Sequence, residues 1–402
     1  MASRIKLGIV CDEVFNPDIV GGYGGFGWLT RAIVELFLHN PTLGVEIVPI
    51  VAGAPERTTP TTVHGTRGVF PYHGGHALKR VQSVWSLVRE QVDLLLTVDY
   101  RPSYNFALKA LPRTPSVMWI QDPRTPEDII KCRSLQIPGQ DGEEPYGADA
   151  SGWGMSSFGV LHRWRARFRV RDLFAISAPS LSTKTGAAFG VEQPERILML
   201  PYPVKPPSSL IVKSKEPTVL FLGRLDPVKR PWIYVEIARR FPKVVFLVAG
   251  TAHATGPGAW TPEHVPDNVV FLGHIDGAQK ERVISESWVL INTSIHEAMP
   301  VSYIEALQAE TPVIGCQDPD QIASRFGRFV GRWDGSGLDS VESFGTALQS
   351  LLDDRSSRGQ LGRAGREWAL ATHTEQRFLT AFSRVAQAAG FDTQETLTSG
   401  AR

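Results

Sequence analysis

Short apolar runs alternate with helical periodicity along most of this chain. In the first half the runs are Ile5–Cys11, Val45–Val51, Gly68–Tyr72, Val92–Val98, Ser116–Ile120 and Leu173–Ile176. Each is rich in Val, Ile or Leu and is followed by turn residues, which predicts strands of a parallel sheet covered on both faces. Between them, residues 27–39 carry Leu29, Ile33, Leu36 and Phe37 at helical spacing. The second half repeats this, with strands predicted at Thr218–Gly223, Val244–Ala249, Val269–Leu272, Trp288–Asn292, Pro312–Gly315 and Arg328–Gly331. Helices are predicted between them, notably over 230–240 and 300–309, and throughout 340–390.

Two successive βαβ arrays predict an α/β protein of two Rossmann-like, doubly wound domains. Residues 201–217 hold five prolines and little periodicity, which marks a linker. The expected organisation is a first domain at 1–202, a linker at 203–217 and a second domain at 218–375. A last helix and tail at 376–402 are expected to pack back on the first domain. Residues 136–157, rich in Gly, Asp, Glu and Ser, predict a long loop. No repeat of solenoid period is present.

Composition narrows the function classes. A length of 402 residues suits two domains, and 42% hydrophobic with 21% charged residues supplies two ordinary soluble cores. A net charge of +1 gives no reason to expect a nucleic-acid partner. Cys11, Cys132 and Cys316 are too dispersed for a disulfide framework or a metal cluster. The opening MASRIKLGIVCDEV lacks the apolar core of a signal peptide, and no apolar run reaches the roughly 18 residues of a membrane span. A cytoplasmic protein is expected.

The strongest chemical signal is HEAMPVSYIEALQAETPVIG at 296–315, directly after the predicted strand SWVLINTS. Such a loop lies at the carboxyl end of a strand, where open α/β sheets bind ligands. Pro300 suits a helix start, and the amides that follow it form an anion site for a diphosphate. Glu297 and Glu305 are eight residues apart, about two helical turns, and carboxylates accept hydroxyl hydrogen bonds well. The bland alternative is a buried helix start with two surface glutamates. A second signal is VLFLGRLDPVKRPWIYVEIA at 219–238, where Arg224 and Lys229 straddle a strand-to-helix loop and can neutralise phosphate. Its bland alternative is a solvated basic loop.

These strings resemble the family 4 retaining glycosyltransferases. The first matches the E-x7-E motif in its variant H-E-(G/A)-(L/M)-P-V-S-(F/Y)-(I/L)-E-A-L, and the second matches G-R-L-x-x-x-K-(G/R). The resemblance implies a glycosyltransferase B-type fold with an interdomain cleft and transfer of a sugar from a nucleoside-diphosphate sugar. It implies that Glu297 contacts the donor sugar, Glu305 the ribose, Met299, Pro300, Val301 and Ser302 the diphosphate, and Arg224 and Lys229 the leaving phosphates. FLGHID at 271–276 holds the place of the nucleobase loop, through Gly273 and His274. The likeness is close over 217–316 and architectural elsewhere. Commoner members read Phe-Gly-Leu-Pro where this chain has Met299, Pro300, Val301 and Ser302, so the proline is displaced.

The first half is less explicit. Gly21, Gly22, Gly24, Gly25 and Gly27 precede a helix at Trp28, and amides there can approach a phosphate. Gly22, Gly24 and Gly25 are the donor-binding candidates, and their spacing is not the dinucleotide fingerprint. Relatives carry a His near the end of the strand at 116–120; this chain has none there, which leaves Gln121 and Asp122 for that place, with Arg124 beside them. Asp99, Tyr100 and Arg101 form a second strand-end cluster on the acceptor side. A loop that merely solvates a strand end is the alternative for both.

The string HRWRARFRV at 162–170 reads as an amphipathic helix, with Leu161, Trp164 and Phe168 inward and arginines in water. Membrane docking needs a further signal, so only weak association with a membrane surface stays open. The reading adopted is a metal-independent retaining glycosyltransferase with a nucleotide-sugar co-substrate and no cofactor. The acceptor is open among glycan, glycolipid and small natural product, and the oligomeric state is not legible. The alternatives are a sugar phosphorylase or epimerase on the same scaffold, and a non-catalytic nucleotide-sugar-binding protein.

Overall fold

The computed structural model describes residues 5–11, 24–52, 61–63, 66–71, 75–140, 142–145, 155–170, 172–191, 196–253 and 255–391. The chain forms two compact units. The first comprises Met1–Arg124, Gly152–Pro203 and His373–Arg402, and the second comprises Thr125–Ser151 and Val204–Thr372.

The first unit contains β1 (Ile5–Cys11), β2 (Val45–Val51), a hairpin of β3 (Thr61–Val63) and β4 (Thr66–Gly68), β5 (Leu94–Val98), β6 (Ser116–Ile120), β7 (Asp172–Ile176) and β8 (Leu198–Met199). Its sheet has the order β2-β1-β5-β6-β7-β8 and is parallel throughout. Helices α1 (Gly25–His39), α2 (Ala77–Arg89) and α3 (Asn105–Ala110) belong to it, whereas α4 (Pro126–Arg133) belongs to the second unit. It is completed by α5 (Met155–Ala166) and α6 (Leu181–Phe189). The central strands are buried on both faces, with Leu94, Leu95, Leu96, Val117, Met118 and Trp119 excluded from solvent. This is why their text is continuously apolar rather than alternating. The strand expected at Gly68–Tyr72 is not one. Its first residue closes β4, Val69 makes a single bridge to Ile50, Pro71 has no amide to donate, and Tyr72 lies outside the described residues.

The arginine string departs from expectation at Arg165 and at Phe168. Arg163, Arg167 and Arg169 are exposed, but Arg165 is fully buried. Its Nε donates to Asp172 Oδ1 at 2.8 Å, and its other nitrogens donate to the carbonyls of Leu108, Leu111 and Thr114 at 2.7, 3.1 and 2.6 Å. The inward face of α5 is therefore Phe158, Leu161 and Arg165, while Phe168 lies past the helix end and is exposed. A buried guanidinium is tolerable because each of its three nitrogens donates to an oxygen and Asp172 balances its charge.

The second unit contains β9 (Thr218–Leu222), β10 (Val245–Ala249), β11 (Val269–Gly273), β12 (Val289–Asn292), β13 (Val313–Gly315) and β14 (Gly327–Phe329). The strand order is β11-β10-β9-β12-β13-β14, again all parallel. Its helices are α4 and then α7 (Pro231–Arg239), α8 (Gly277–Glu286), α9 (Val301–Gln308), α10 (Ile322–Phe326), α11 (Val341–Asp353) and α12 (Arg355–Thr372). The chain turns outward from β9 to β10 and β11, then returns to place β12 on the other side of β9. The switch point of this sheet thus falls between β9 and β12, the strands that precede the two motifs. Leu135 and Ile137, which follow α4, are buried in this unit's core with Ile233, Phe246 and Ile291. The last helix, α13 (Glu375–Ala388), packs in the first unit, where Phe378 meets Phe37 and Trp119 at ring separations of 6.4 and 5.9 Å.

Lys213 fastens the proline-rich segment to the second unit. Its Nζ donates to the carbonyls of Ser287 and Ala309 at 2.9 and 2.8 Å and to Thr311 Oγ1 at 2.6 Å. Ser287 and Ala309 cap the C-termini of α8 and α9, where a cation is favoured. Lys213→Met keeps the aliphatic stem and removes the donors. It is expected to lower the unfolding free energy by about 1–3 kcal/mol, read from denaturant titration. A midpoint indistinguishable from the parent would show that water serves these carbonyls equally well.

Candidate functional site

In the second unit, the loops after β9 and β12 are joined by their backbones. The Ile295 amide donates to the Val228 carbonyl at 3.0 Å, and Thr293 Oγ1 donates to the carbonyls of Lys229 and Arg230 at 2.7 and 3.0 Å. The strand spacing brings the loops side by side, and these bonds fix their register. Lys229 and Glu297, 68 residues apart in sequence, are consequently in contact, with Nζ donating to Oε1 at 2.6 Å.

Glu297 Oε1 also accepts from Asn292 Nδ2 at 3.0 Å and Ser294 Oγ at 2.6 Å. Burial pushes its carboxyl toward the neutral form, but the Lys229 cation and these donors outweigh it and hold the pKa below the usual carboxylate value. Glu297 is therefore an oriented anion with a cation already in place. Glu305, on α9, is bound in the same manner by Lys280 of α8, whose Nζ lies 2.6 Å from Oε1.

Pro300 is the N-cap of α9 rather than its first helical residue, with φ −69° and ψ 123°. The Tyr303 amide turns back to the Pro300 carbonyl at 3.1 Å. The amides of Val301 and Ser302 have no acceptor among the described residues. Met299 and Pro300 are buried, whereas Val301 and Ser302 are half-buried. The displaced proline thus leaves two amides at the positive end of the helix, just past Glu297.

Arg224 lies on the loop after β9, with Nη1 3.2 Å from Asp226 Oδ2 and 3.1 Å from His253 Nδ1. Asp226 Oδ1 accepts the His253 amide at 2.9 Å, so one buried carboxylate orients both the arginine and the loop after β10. The loops can approach because Gly250, at φ +143°, has no side chain. A Cβ there would lie 1.9 Å from the Gly223 carbonyl oxygen. Gly273 ends β11 at φ +67°, accepts the Gly250 amide through its carbonyl at 2.8 Å, and is followed by exposed His274.

Several members of this cluster were not singled out from sequence. Asp226, Asn292 and Ser294 stand inside or beside the motif strings and were legible in principle as polar residues at strand ends. Lys280 and His253 were not legible, because only the fold brings α8 and the loop after β10 to these positions. Nor was Asp128, on α4, whose Oδ1 is 3.6 Å from His296 Nδ1. Thr125 and Asp128 form a capping box at the start of α4, with the Asp128 amide donating to Thr125 Oγ1 at 3.2 Å and the Thr125 amide to Asp128 Oδ2 at 3.0 Å. Among the described residues, no three His, Cys, Asp or Glu side chains gather in a group able to hold a metal ion.

In the first unit, the candidates divide by burial. Asp99, at φ +67°, accepts the amides of Gln121 and Asp122 at 3.1 and 3.5 Å, so it shapes the turn after β6. Tyr100 is buried against Phe158 and Phe189 and its hydroxyl donates to Asn105 Oδ1 at 2.7 Å. Gln121 is buried too, with Nε2 donating to the Trp119 carbonyl at 3.1 Å. Asp122 and Arg124 are half-buried and paired at 2.9 Å, and the Arg101 guanidinium stands over the Phe26 ring at 5.3 Å. Gly24 caps α1 and Gly25 begins it, while Gly22 lies outside the described residues.

Burial and the neighbouring Asp122 raise the pKa of Asp99 to about 6. A carboxyl whose folded pKa is raised favours folding while protonated, so stability is expected to fall as pH rises from about 4 to 6. Asp99→Asn keeps the acceptor oxygen and tolerates the left-handed backbone. Thermal unfolding across that pH range should therefore flatten in the variant, which should be no less stable than the parent at neutral pH. An unchanged slope would assign the titration elsewhere.

Residues 207–368 match the family model described as glycosyl transferases group 1. Solved structures are similar over nearly the whole chain. Sucrose-phosphate synthase from Thermosynechococcus elongatus is 14% identical, with TM-score 0.66 over 96% of this chain and 99% of that one. HepE from Anabaena in complex with UDP and glucose is 13% identical, with TM-score 0.63 and the same coverage of 96% and 99%. The pneumococcal O-GlcNAc transferase GtfA in complex with UDP and GlcNAc is 9% identical, with TM-score 0.64 over 96% and 99%. No curated protein matches the chain in sequence. At these identities the structural likeness is one of fold. The fold is the glycosyltransferase B type with two Rossmann-like units, and the stretch that matches the group 1 glycosyltransferase model lies within the second unit.

Proposed function

We propose that this chain is a retaining glycosyltransferase whose second unit holds a nucleoside-diphosphate sugar. The observation that carries the proposal is the Lys229–Glu297 pair, which joins the two motifs at the sheet's switch point, followed along the second motif by the two open amides of α9 and Glu305. In a nucleoside-diphosphate sugar, the reacting sugar carbon is one oxygen away from the β-phosphate. A carboxylate and an ammonium in contact can therefore serve sugar hydroxyls and phosphate at once. We assign Glu297 to the sugar, Lys229 and Arg224 with the amides of Val301 and Ser302 to the diphosphate, and Glu305 to the ribose. Gly273 and His274 are assigned to the base. The complexes of HepE and GtfA with UDP support a nucleoside diphosphate as the ligand class.

In the proposed transfer, the bond from the sugar carbon to the β-phosphate oxygen breaks. The acceptor oxygen bonds to the same face, and its proton passes to the departing phosphate. Arg224, Lys229 and the helix end stabilise the charge developing on that phosphate, and stabilisation of this kind usually lowers a barrier more than any other single effect. These cations make the reaction independent of a divalent metal in this reading. The acceptor is assigned to the first unit, where Asp99, Arg101, Asp122 and Arg124 are half-buried polar groups at the strand ends.

Arg224→Ala and Lys229→Ala are each expected to weaken nucleoside diphosphate binding about tenfold or more in calorimetry, while the fold persists. Transfer should persist in chelator. Full affinity in both variants, or activity restored only by a divalent ion, would overturn the assignment.

A further inference from the structure

Lys280 stands where helix α8 would ordinarily carry an apolar residue. The helix is anchored by Val283 and Ile284, which are buried, and Lys280 precedes them by three and four residues, on the same face. Its side chain is accordingly turned inward and only 16% exposed. A lysine is seldom placed so without an acid beside it. That acid is Glu305 of the neighbouring helix α9, with Lys280 Nζ 2.6 Å from Oε1 and the glutamate side chain 13% exposed. Among the described residues, no other group bonds this carboxylate. Lys280 lies in neither motif string, yet it holds the second motif glutamate much as Lys229 holds the first.

Its place in the fold joins two parts of the proposed donor site. Helix α8 follows closely on Gly273 and His274. Asp276 caps it, with Oδ1 accepting the Gly277 amide at 2.8 Å, and Lys280 is about one turn in. Helix α9 carries the open amides of Val301 and Ser302 about one turn before Glu305. A diphosphate at those amides repels a bare carboxylate about 6 Å further along the helix. The Lys280 ammonium offsets that repulsion. It also engages Oε1, which fixes the carboxylate in one orientation and leaves Oε2 to accept from a ligand hydroxyl. On the reading of the site given above, we infer that Lys280 is a positioning residue, which fixes Glu305 so that the site selects a ribonucleotide over its 2′-deoxy form. A Glu305 without this cation would still accept hydrogen bonds, but it would rotate, meet water and face the phosphate charge unaided. Selection for a hydroxyl needs a fixed acceptor, because the ligand that lacks the hydroxyl is rejected by the group it leaves unpaired.

The test is calorimetric titration of the full chain with UDP, ADP and GDP, and then comparison of the tightest binder with its 2′-deoxy form. The parent should prefer the ribonucleotide about tenfold or more. Lys280→Met keeps the stem and removes the charge, and it should bring that preference to within about threefold, whereas Lys280→Arg should retain most of it. Lys280→Met placed in Glu305→Gln should add less than about twofold to the loss of affinity, because both changes remove the same effect. A merely structural pair would lower the thermal midpoint of Lys280→Met and leave the ribose preference as it was, and that outcome overturns the inference. So does a loss of affinity that multiplies across the double variant, which would put Lys280 on the phosphate itself. Binding of none of the diphosphates by the parent would remove the reading of the site and the inference together. Binding without a ribose preference would remove the inference and leave the diphosphate site standing.

Discussion

Replacing Arg230 with alanine is expected to lower the stability of the second unit by about 3–5 kcal/mol, because a buried, fully engaged charge would vanish and leave its partners unmet. The side chain is excluded from solvent. Its Nε donates to the Thr293 carbonyl at 2.8 Å, Nη1 to the Trp333 carbonyl at 2.9 Å, and Nη2 to the Ser294 carbonyl at 3.4 Å and Cys316 Sγ at 3.2 Å. It therefore ties the loop after β12 to the segment after β14. Room for the guanidinium comes from Gly337, where a Cβ would sit 2.4 Å from Nη1. The backbone adds a second, separable effect. Arg230 sits at φ +46°, a conformation that costs a non-glycine residue about 1 kcal/mol or more. Arg230→Gly should consequently lose the same hydrogen bonds yet be more stable than Arg230→Ala by about 1 kcal/mol. Calorimetry of the three proteins checks both statements. An alanine variant within about 1 kcal/mol of the parent, or a glycine variant below the alanine one, would show that the carbonyls find water and the backbone is unstrained.

Arg230 also shows what the sequence could and could not convey. The strands were legible because buried parallel strands leave continuous apolar text, and β1, β2 and β6 begin and end where that text does. The motif loops were legible because their residues lie close together in sequence. What failed to show was any contact made by a distant part of the chain. Arg230 reads as one more basic residue in a loop, yet it is a buried structural element, and Arg165 misled in the same way. Helical periodicity assigns an arginine to water unless the reader knows that Asp172 and three carbonyls wait on the other side. The segment Thr125–Ser151 follows first-unit strands in sequence but clusters with the second unit, a choice made by Leu135 and Ile137 in the second core. In the cluster at the switch point, Glu297 was evident in the text. The ion pair that sets its charge state became visible only once β9 and β12 were neighbours.

That ion pair sharpens the separation expected between the two glutamates. Glu305→Gln removes the charge offered to the ribose and leaves Lys280 without its carboxylate partner. Affinity for the free nucleoside diphosphate is expected to fall roughly tenfold to a hundredfold, the worth of a charged hydrogen bond. Glu297→Gln should act on the reaction instead. The sugar loses its charged acceptor, and transfer is expected to fall about a hundredfold because the donor is no longer held in line for attack. Nucleoside diphosphate affinity should not fall with it. The Lys229 ammonium, now free of its 2.6 Å partner, offers its whole charge to phosphate, so binding should stay level or tighten. The acid side of the rate profile gives an independent check. Lys229, Asn292 and Ser294 keep the Glu297 carboxyl ionised below the usual carboxylate range, so the stabilisation from the pair is lost only as pH falls through that lowered value. An activity limb near neutral pH should therefore persist in Glu297→Gln, because another group causes it. The measurements are calorimetric affinity for the nucleoside diphosphate and initial transfer rate against pH. Equal loss of affinity in both variants, or full transfer in Glu297→Gln, would remove Glu297 from the sugar and leave Lys229–Glu297 as a structural pair.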